Sequence, residues 1–160
     1  MPHVGMEYAI LLPILILQVI LLPVSASWII SVWTNDRMKS EIQGAANQVS
    51  STIQQLYFSL NSENVLPTSS SGPVVQTSNF PTTIESSPYY ATGSMRASQS
   101  NSSRTLNLRF TLQGSGITVN SSVTFGPNVL WQSSNFFSNS PSACIEAWKY
   151  SNGTILFSFG

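Results

Sequence analysis

The sequence predicts an α+β protein: one long N-terminal α-helix, hydrophobic and then amphipathic, followed by a C-terminal antiparallel β-sandwich head domain. The apolar run Tyr8–Trp33 and the amphipathic run after it, which ends at Leu60, predict the helix. Alternating apolar and polar residues from Arg104 onward predict the strands. We divide the chain into the helix (1–60), a Ser/Thr/Pro-rich connecting region with short edge strands (61–103) and the main β-hairpins (104–160), with the whole head over about 64–160.

The apolar segment, Tyr8–Trp33, contains no Asp, Glu, Lys or Arg. As an α-helix with a rise of ~1.5 Å per residue it would be about 39 Å long, which is enough to cross a bilayer. A helix that is apolar on all sides must be buried in lipid or among other helices. Bends and small faces for close helix contact are expected at Pro13, Pro23, Ser25, Ala26, Ser27 and Ser31.

The amphipathic run predicts that the same helix continues. Its apolar residues recur at spacings of three and four, which places them in one stripe. The stripe consists of Met38, Ile42, Ala45, Val49, Ile53, Leu56 and Leu60. We expect it to pack on the chain's own domain or on adjacent subunits.

Three interpretations of residues 1–33 are open. A cleaved secretory signal would use Val24-Ser25-Ala26 as its cleavage site, but no Lys or Arg precedes Arg37 and the apolar run exceeds the roughly 7–15 residues of a signal h-region. A plain membrane anchor would end near Trp28 and Trp33, yet the basic residues after it would place the polar domain in the cytoplasm unless a short basic leader has been removed. The third interpretation is a filament core of many packed helices, which the continuing stripe favours.

Two hairpins are predicted in the head. Leu106, Leu108, Phe110 and Leu112 alternate with polar residues, and Gly114-Ser-Gly116 turns the chain into a second alternating run that ends at Phe125. The second hairpin joins Cys144–Tyr150 to Thr154–Phe159 through a type I′ turn at Asn152-Gly153. One further strand is expected around 89–97.

We expect four aromatic residues to be core rather than a ligand platform: Trp131, Phe136, Phe137 and Trp148.

Composition excludes several functions. Charged residues make up 8% of the chain and its net charge is zero, so it has no electrostatic footprint for nucleic acid. His3, the sole histidine, precedes the apolar segment, and Cys144 is the sole cysteine, so neither a catalytic triad nor a tetrahedral metal site is expected. We therefore expect no enzymatic activity, no metal and no cofactor. The neutral, hydroxyl-rich surface suits a secreted or cell-surface protein.

Three sequons for N-glycosylation occur at predicted strand edges or turns, so covalent glycans are candidate modifications. They begin at Asn101, Asn120 and Asn152. For Asn152 a hairpin turn explains the Asn-Gly pair equally well.

The residues from Gly5 to Pro13, Gly-Met-Glu-Tyr-Ala-Ile-Leu-Leu-Pro, begin a long helix that also contains Pro23, and they resemble a type IV pilin, particularly of the archaeal kind. The resemblance covers residues 1–60 and extends to the rest only as architecture. It implies that a peptidase removes a short basic leader and that the helices then form a filament core without a cofactor. The residues that it implies in assembly or core packing are Glu7, Tyr8, Leu11, Leu12, Leu15, Val19, Leu22, Pro23, Trp28, Ile29 and Val32.

Glu7 has two interpretations. In the bacterial branch of that family a glutamate near the mature N-terminus pairs with a terminal amine, and a carboxylate in an apolar bundle needs such a partner or a proton. Here the glutamate is the seventh residue rather than the fifth. Alternatively, Glu7 lies in the interfacial region at the helix N-terminus, where the helix dipole favours it.

We therefore expect a structural subunit of an extracellular type IV pilus-like filament. Its partners would be identical subunits in a helical homo-oligomer, with the membrane as its environment before assembly, and its heads would be exposed for adhesion. The alternative is a single-pass membrane-anchored surface receptor or adhesin with a β-sandwich ectodomain.

Overall fold

A computed structural model describes residues 3–68, 72–77 and 80–160, with side chains of the helix described from Leu11 onward. Helix α1 spans His3–Leu60, as predicted, and contains both prolines. The chain forms two compact units, Met1–Arg37 and Met38–Gly160. The unit boundary therefore differs from the predicted one at residue 60. We call residues 38–60 the docked half of α1, because its apolar stripe is buried in the core of the second unit.

The described residues form two four-stranded sheets that pack as a sandwich. Their strands are β1 (Val74–Gln76), β2 (Tyr89–Ala97), β3 (Arg104–Leu112), β4 (Thr118–Phe125), β5 (Val129–Trp131), β6 (Asn135–Phe137), β7 (Ile145–Lys149) and β8 (Ile155–Phe159). One sheet has the order β4-β3-β2-β6 and the other the order β1-β7-β8-β5. The predicted antiparallel pairing is confirmed throughout except between β5 and β8, which are parallel.

The β3–β4 hairpin confirms the clearest pattern in the sequence. Its apolar residues are buried at every second position, so one face points into the core and the other towards solvent. Gly114 and Gly116 adopt φ angles of 87° and 69°, which a residue with a Cβ disfavours. These two glycines give the chain its turn between the strands.

Strand β2 lies where the sequence placed it but not at an edge, because β3 and β6 flank it on either side. The short edge strand expected between residues 61 and 103 is therefore β1, whereas β2 is long and internal. The reason that the sequence pattern did not indicate this lies at Gly93, where an added Cβ would be 2.4 Å from the Trp131 ring. Trp131 in the other sheet fills the inner face at this point, and the apolar alternation of β2 is interrupted there.

The β7–β8 hairpin is confirmed, but its turn differs from the predicted type I′. A type I′ turn needs positive φ at both central residues. Only Gly153 has one, at 79°, and its N–H donates to the Tyr150 carbonyl at 3.0 Å. The loop is therefore a three-residue connection with its left-handed residue at Gly153.

The docked half packs on the inner face beside β4. Ile42, Ala45, Val49, Ile53, Leu56 and Leu60 are all buried, which confirms the predicted stripe. Ser50 Oγ donates to Ser121 Oγ at 2.7 Å, and the Tyr57 ring lies 5.1 Å from the Phe125 ring. The Phe125 ring also stacks on Phe157 of the opposite sheet, with centroids 5.7 Å apart. Helix and both sheets thus share one core.

Lys149 fixes the chain where it leaves the helix. Its side chain is buried, and its ammonium donates to the carbonyls of Ser62 at 2.7 Å and Val65 at 2.8 Å. Its backbone N–H and C=O also pair with Thr68. A buried ammonium requires such partners, so this lysine connects β7 to the segment that follows α1.

Candidate assembly surface

The first unit presents an unusually apolar surface. From Leu11 to Trp33 its large hydrophobic side chains are exposed, including Leu22 at 69% and Trp28 at 70%. One 18-residue window has a mean hydropathy of 2.2 and no part of it is buried. By length and composition this helix is sufficient to cross a membrane.

The side chains expected in assembly cover more than half of the helix circumference rather than one narrow face. Leu11, Leu15, Leu22 and Ile29 are separated by four and seven residues and share one side. The others expected from the sequence lie elsewhere on the circumference and are also exposed: Leu12, Val19, Pro23, Trp28 and Val32. Glu7 and Tyr8 lie outside the described side chains. A single partner helix could not cover the whole set.

Three hydroxyl groups in this unit bond within the helix. Ser25 Oγ donates to the Leu21 carbonyl at 2.8 Å and Ser31 Oγ to the Ser27 carbonyl at 2.9 Å. Thr34 Oγ1 donates to the Ile30 carbonyl in the same way. Because these three hydroxyls need no outside partner, they are compatible with apolar surroundings.

Sequence reasoning missed Gln18. It is the one polar residue between Ala9 and Val24, and that isolation was the available signal. The side chain is exposed and, within the described part of the chain, makes no hydrogen bond. Among the side chains between Ala9 and Val24, the Gln18 amide is the one that an apolar environment disfavours most.

The three sequon asparagines are exposed in the second unit. Asn101 lies in the β2–β3 connection with φ of 53°, and Asn152 lies in the β7–β8 loop, where its Oδ1 accepts from the Thr154 N–H at 3.0 Å. Asn120 differs from expectation, because it lies within β4 rather than at a turn, although β4 is an edge strand. Glycan attachment remains a prediction at all three.

Metal-ligating and nucleophilic side chains are dispersed over the described residues. Among the described residues no cluster of three His, Cys, Asp or Glu side chains could hold a metal ion. Cys144 is buried, and burial, followed by the nearby Glu146 carboxylate, raises the pKa of its thiol. Burial also raises the pKa of Tyr89 to about 12, and its hydroxyl lacks a hydrogen-bond partner within the described residues.

The outer face of the β7–β8 hairpin carries an open depression of about 460 Å³. Trp148 faces Leu156 across the two strands there, and Tyr150 and Glu146 also line it. Of the four aromatic residues expected in the core, Phe136 is fully buried, Phe137 is 47% exposed and Trp148 lines this depression. A flat ring beside a carboxylate is suited to contact with a neutral, hydroxyl-rich molecule.

The fold and the apolar surface of the helix together define a class of protein. In this class, one α-helix that is long and apolar enough to cross a membrane continues into a β-sandwich head. Comparisons of the chain with protein-family models, with curated proteins and with solved structures find no match.

Proposed function

We propose that this chain is the structural subunit of an extracellular type IV pilus-like filament. The apolar segments of many copies form the filament core, and the β heads form its surface and make adhesive contacts. The chain passes through the cytoplasmic membrane before it assembles. The proposal assigns the chain no enzymatic activity and no cofactor.

The observation that carries the proposal is the apolar circumference of the helix from Leu11 to Trp33. Burying a large apolar side chain stabilises by about 1.5–3 kcal/mol, so a surface of this size cannot remain in water. Since the exposed side chains point in all directions, each helix must be surrounded by lipid or by several neighbouring helices, and a bundle of many copies supplies the second environment. The resemblance of residues 1–60 to a type IV pilin supports the same proposal.

The amphipathic stripe does not discriminate between filament and anchor. The sequence left open whether it packs on neighbours or on the chain's own domain, and it is buried against β4 of the same chain. The docked half therefore explains how the head is attached to the helix, whereas the apolar segment alone supports assembly.

The proposal is tested by shearing surface filaments from cells that express the native gene. Electron microscopy should show helical filaments with axial α-helices, and N-terminal sequencing should give the mature start of the subunit. Leu22→Arg should abolish the filaments, because a charge in the apolar core is costly. Gln54→Arg, on an exposed position of the docked half, is the matched control and should leave them intact. Wild-type chain recovered only as detergent-stable monomers would refute the proposal.

A second candidate is a membrane-anchored surface receptor or adhesin, and the depression at Trp148 favours it. Ligand binding there should change tryptophan fluorescence when the detergent-solubilised chain is titrated with neutral oligosaccharides. Trp148→Ala should remove the response, and Phe58→Ala, at an exposed aromatic residue of the docked half, should not. Saturable binding by monomers that never polymerise would favour this candidate over the filament.

A further inference from the structure

The apolar segment contains a hydrogen-bond donor without an acceptor. The Gln18 side chain is exposed between apolar neighbours and bonds to no described residue. Lipid tails offer an amide no hydrogen bond, and an unpaired amide in an apolar medium is costly. Ser25, Ser31 and Thr34 of this unit avoid that cost by bonding to carbonyls of their own helix.

The same segment contains a backbone acceptor without a donor. Pro23 lies inside the helix and has no N–H, so the Val19 carbonyl four residues earlier loses its usual intrahelical bond. The nearest hydroxyl in sequence, that of Ser25, donates to Leu21 instead. Carbonyls released in this way tilt outward from a proline-bent helix.

Gln18 cannot satisfy this carbonyl within its own helix. Side chains of an α-helix point towards its N-terminus, whereas carbonyls point towards its C-terminus. Consecutive residues are also separated by about 100° around the axis. The donor at Gln18 and the acceptor at Val19 therefore face in different directions, and each must be met by another molecule.

We propose that the Gln18 amide of one copy donates a hydrogen bond to the Val19 carbonyl of a neighbouring copy. The inference rests on the proposed function, since it assigns a specific contact to the filament core. A second copy of this chain is the partner because it supplies the missing acceptor and the missing donor at the same depth along the helix. The two groups lie on different faces of the helix, so in a head-to-tail arrangement each copy can donate to one neighbour and accept from another, as a helical array requires.

A double-mutant cycle on assembled filaments tests the contact. Gln18→Leu leaves the Val19 carbonyl unpaired, and Pro23→Ala returns an intrahelical donor to that carbonyl and leaves Gln18 unpaired. Each should raise the critical concentration for assembly about fivefold. The double variant leaves neither group unpaired, so it should lie within about twofold of wild type. Ser31→Ala is the control, because its hydroxyl already bonds within the helix, and it should not change assembly.

Losses that multiply in the double variant would overturn the contact, since two independent structural effects would produce that result. A density map of the wild-type filament in which Gln18 bonds to a different group would also overturn it. Absence of wild-type filaments would instead refute the proposed function itself, so the two failures are distinguishable.

Discussion

Replacing Ile53 by alanine tests whether the docked half of α1 belongs to the core of the head. Ile53 is fully buried in that core. Alanine removes three carbon groups at about 0.8 kcal/mol each and leaves a cavity that adds roughly 1 kcal/mol. Its better helix propensity returns about 0.4 kcal/mol. We expect a loss of about 3 kcal/mol in the free energy of unfolding.

The measurement is thermal unfolding of the full-length chain in detergent, followed by the near-ultraviolet circular dichroism of the head. For a unit of about 120 residues, an unfolding entropy near 2.1 cal/mol/K per residue converts the loss into a fall of about 12 °C in Tm. Gln54→Ala, at the adjacent exposed position, should change Tm by no more than about 2 °C. Equal shifts for the two variants would show that residue 53 is not part of the core.

Three further predictions concern the head. Gly93→Ala places a Cβ against the Trp131 ring and should cost about 1–3 kcal/mol in chemical denaturation, whereas Gly44→Ala meets open space in a helix and should stabilise by up to about 1 kcal/mol. Lys149→Met removes the buried ammonium and should speed proteolysis of the segment after α1; an unchanged cleavage rate would contradict its role as a connector. Tyr89 keeps its proton in the folded state to a pKa of about 12 but loses it near pH 10 when unfolded, so stability should fall between pH 10 and 12 by about 2–3 kcal/mol. Tyr89→Phe should remove that part of the alkaline loss, as pH-dependent urea unfolding would report.

The spacing of apolar residues was sufficient to predict those elements that bury one side and expose the other. The docked half and the β3–β4 hairpin each present an apolar side to a single core, so spacings of three and four, or of two, identified both. The sequence did not reveal that α1 contributes to two compact units. The helical pattern continues without a break through Arg37; the change from an apolar to an amphipathic pattern after Trp33 is visible in the sequence, but the burial that begins near Ile42 is what assigns the second part to the head.

Errors arose where a partner distant in sequence decides the local structure. Strand β2 appeared to be marginal because Gly93 interrupts its apolar face, but Trp131 supplies the missing bulk from the other sheet. The depression at Trp148 likewise forms only where β7 pairs with β8, so the sequence of either strand alone could not predict it. Gln18, in contrast, could have been identified from the sequence alone, because it is an isolated polar residue among apolar ones, but it was overlooked.

Because Cys144 is buried, the rate at which its thiol reacts can be used to measure local opening of the head. A protonated thiol behind folded strands reacts slowly with maleimides, because the thiolate is the attacking species and the reagent must reach it. With one sulfhydryl in the whole sequence, the labelling rate measures how often the end of the β7–β8 hairpin exposes its sulfur. The same shielding should keep copies of the folded chain from cross-linking through disulfides when an oxidant is added.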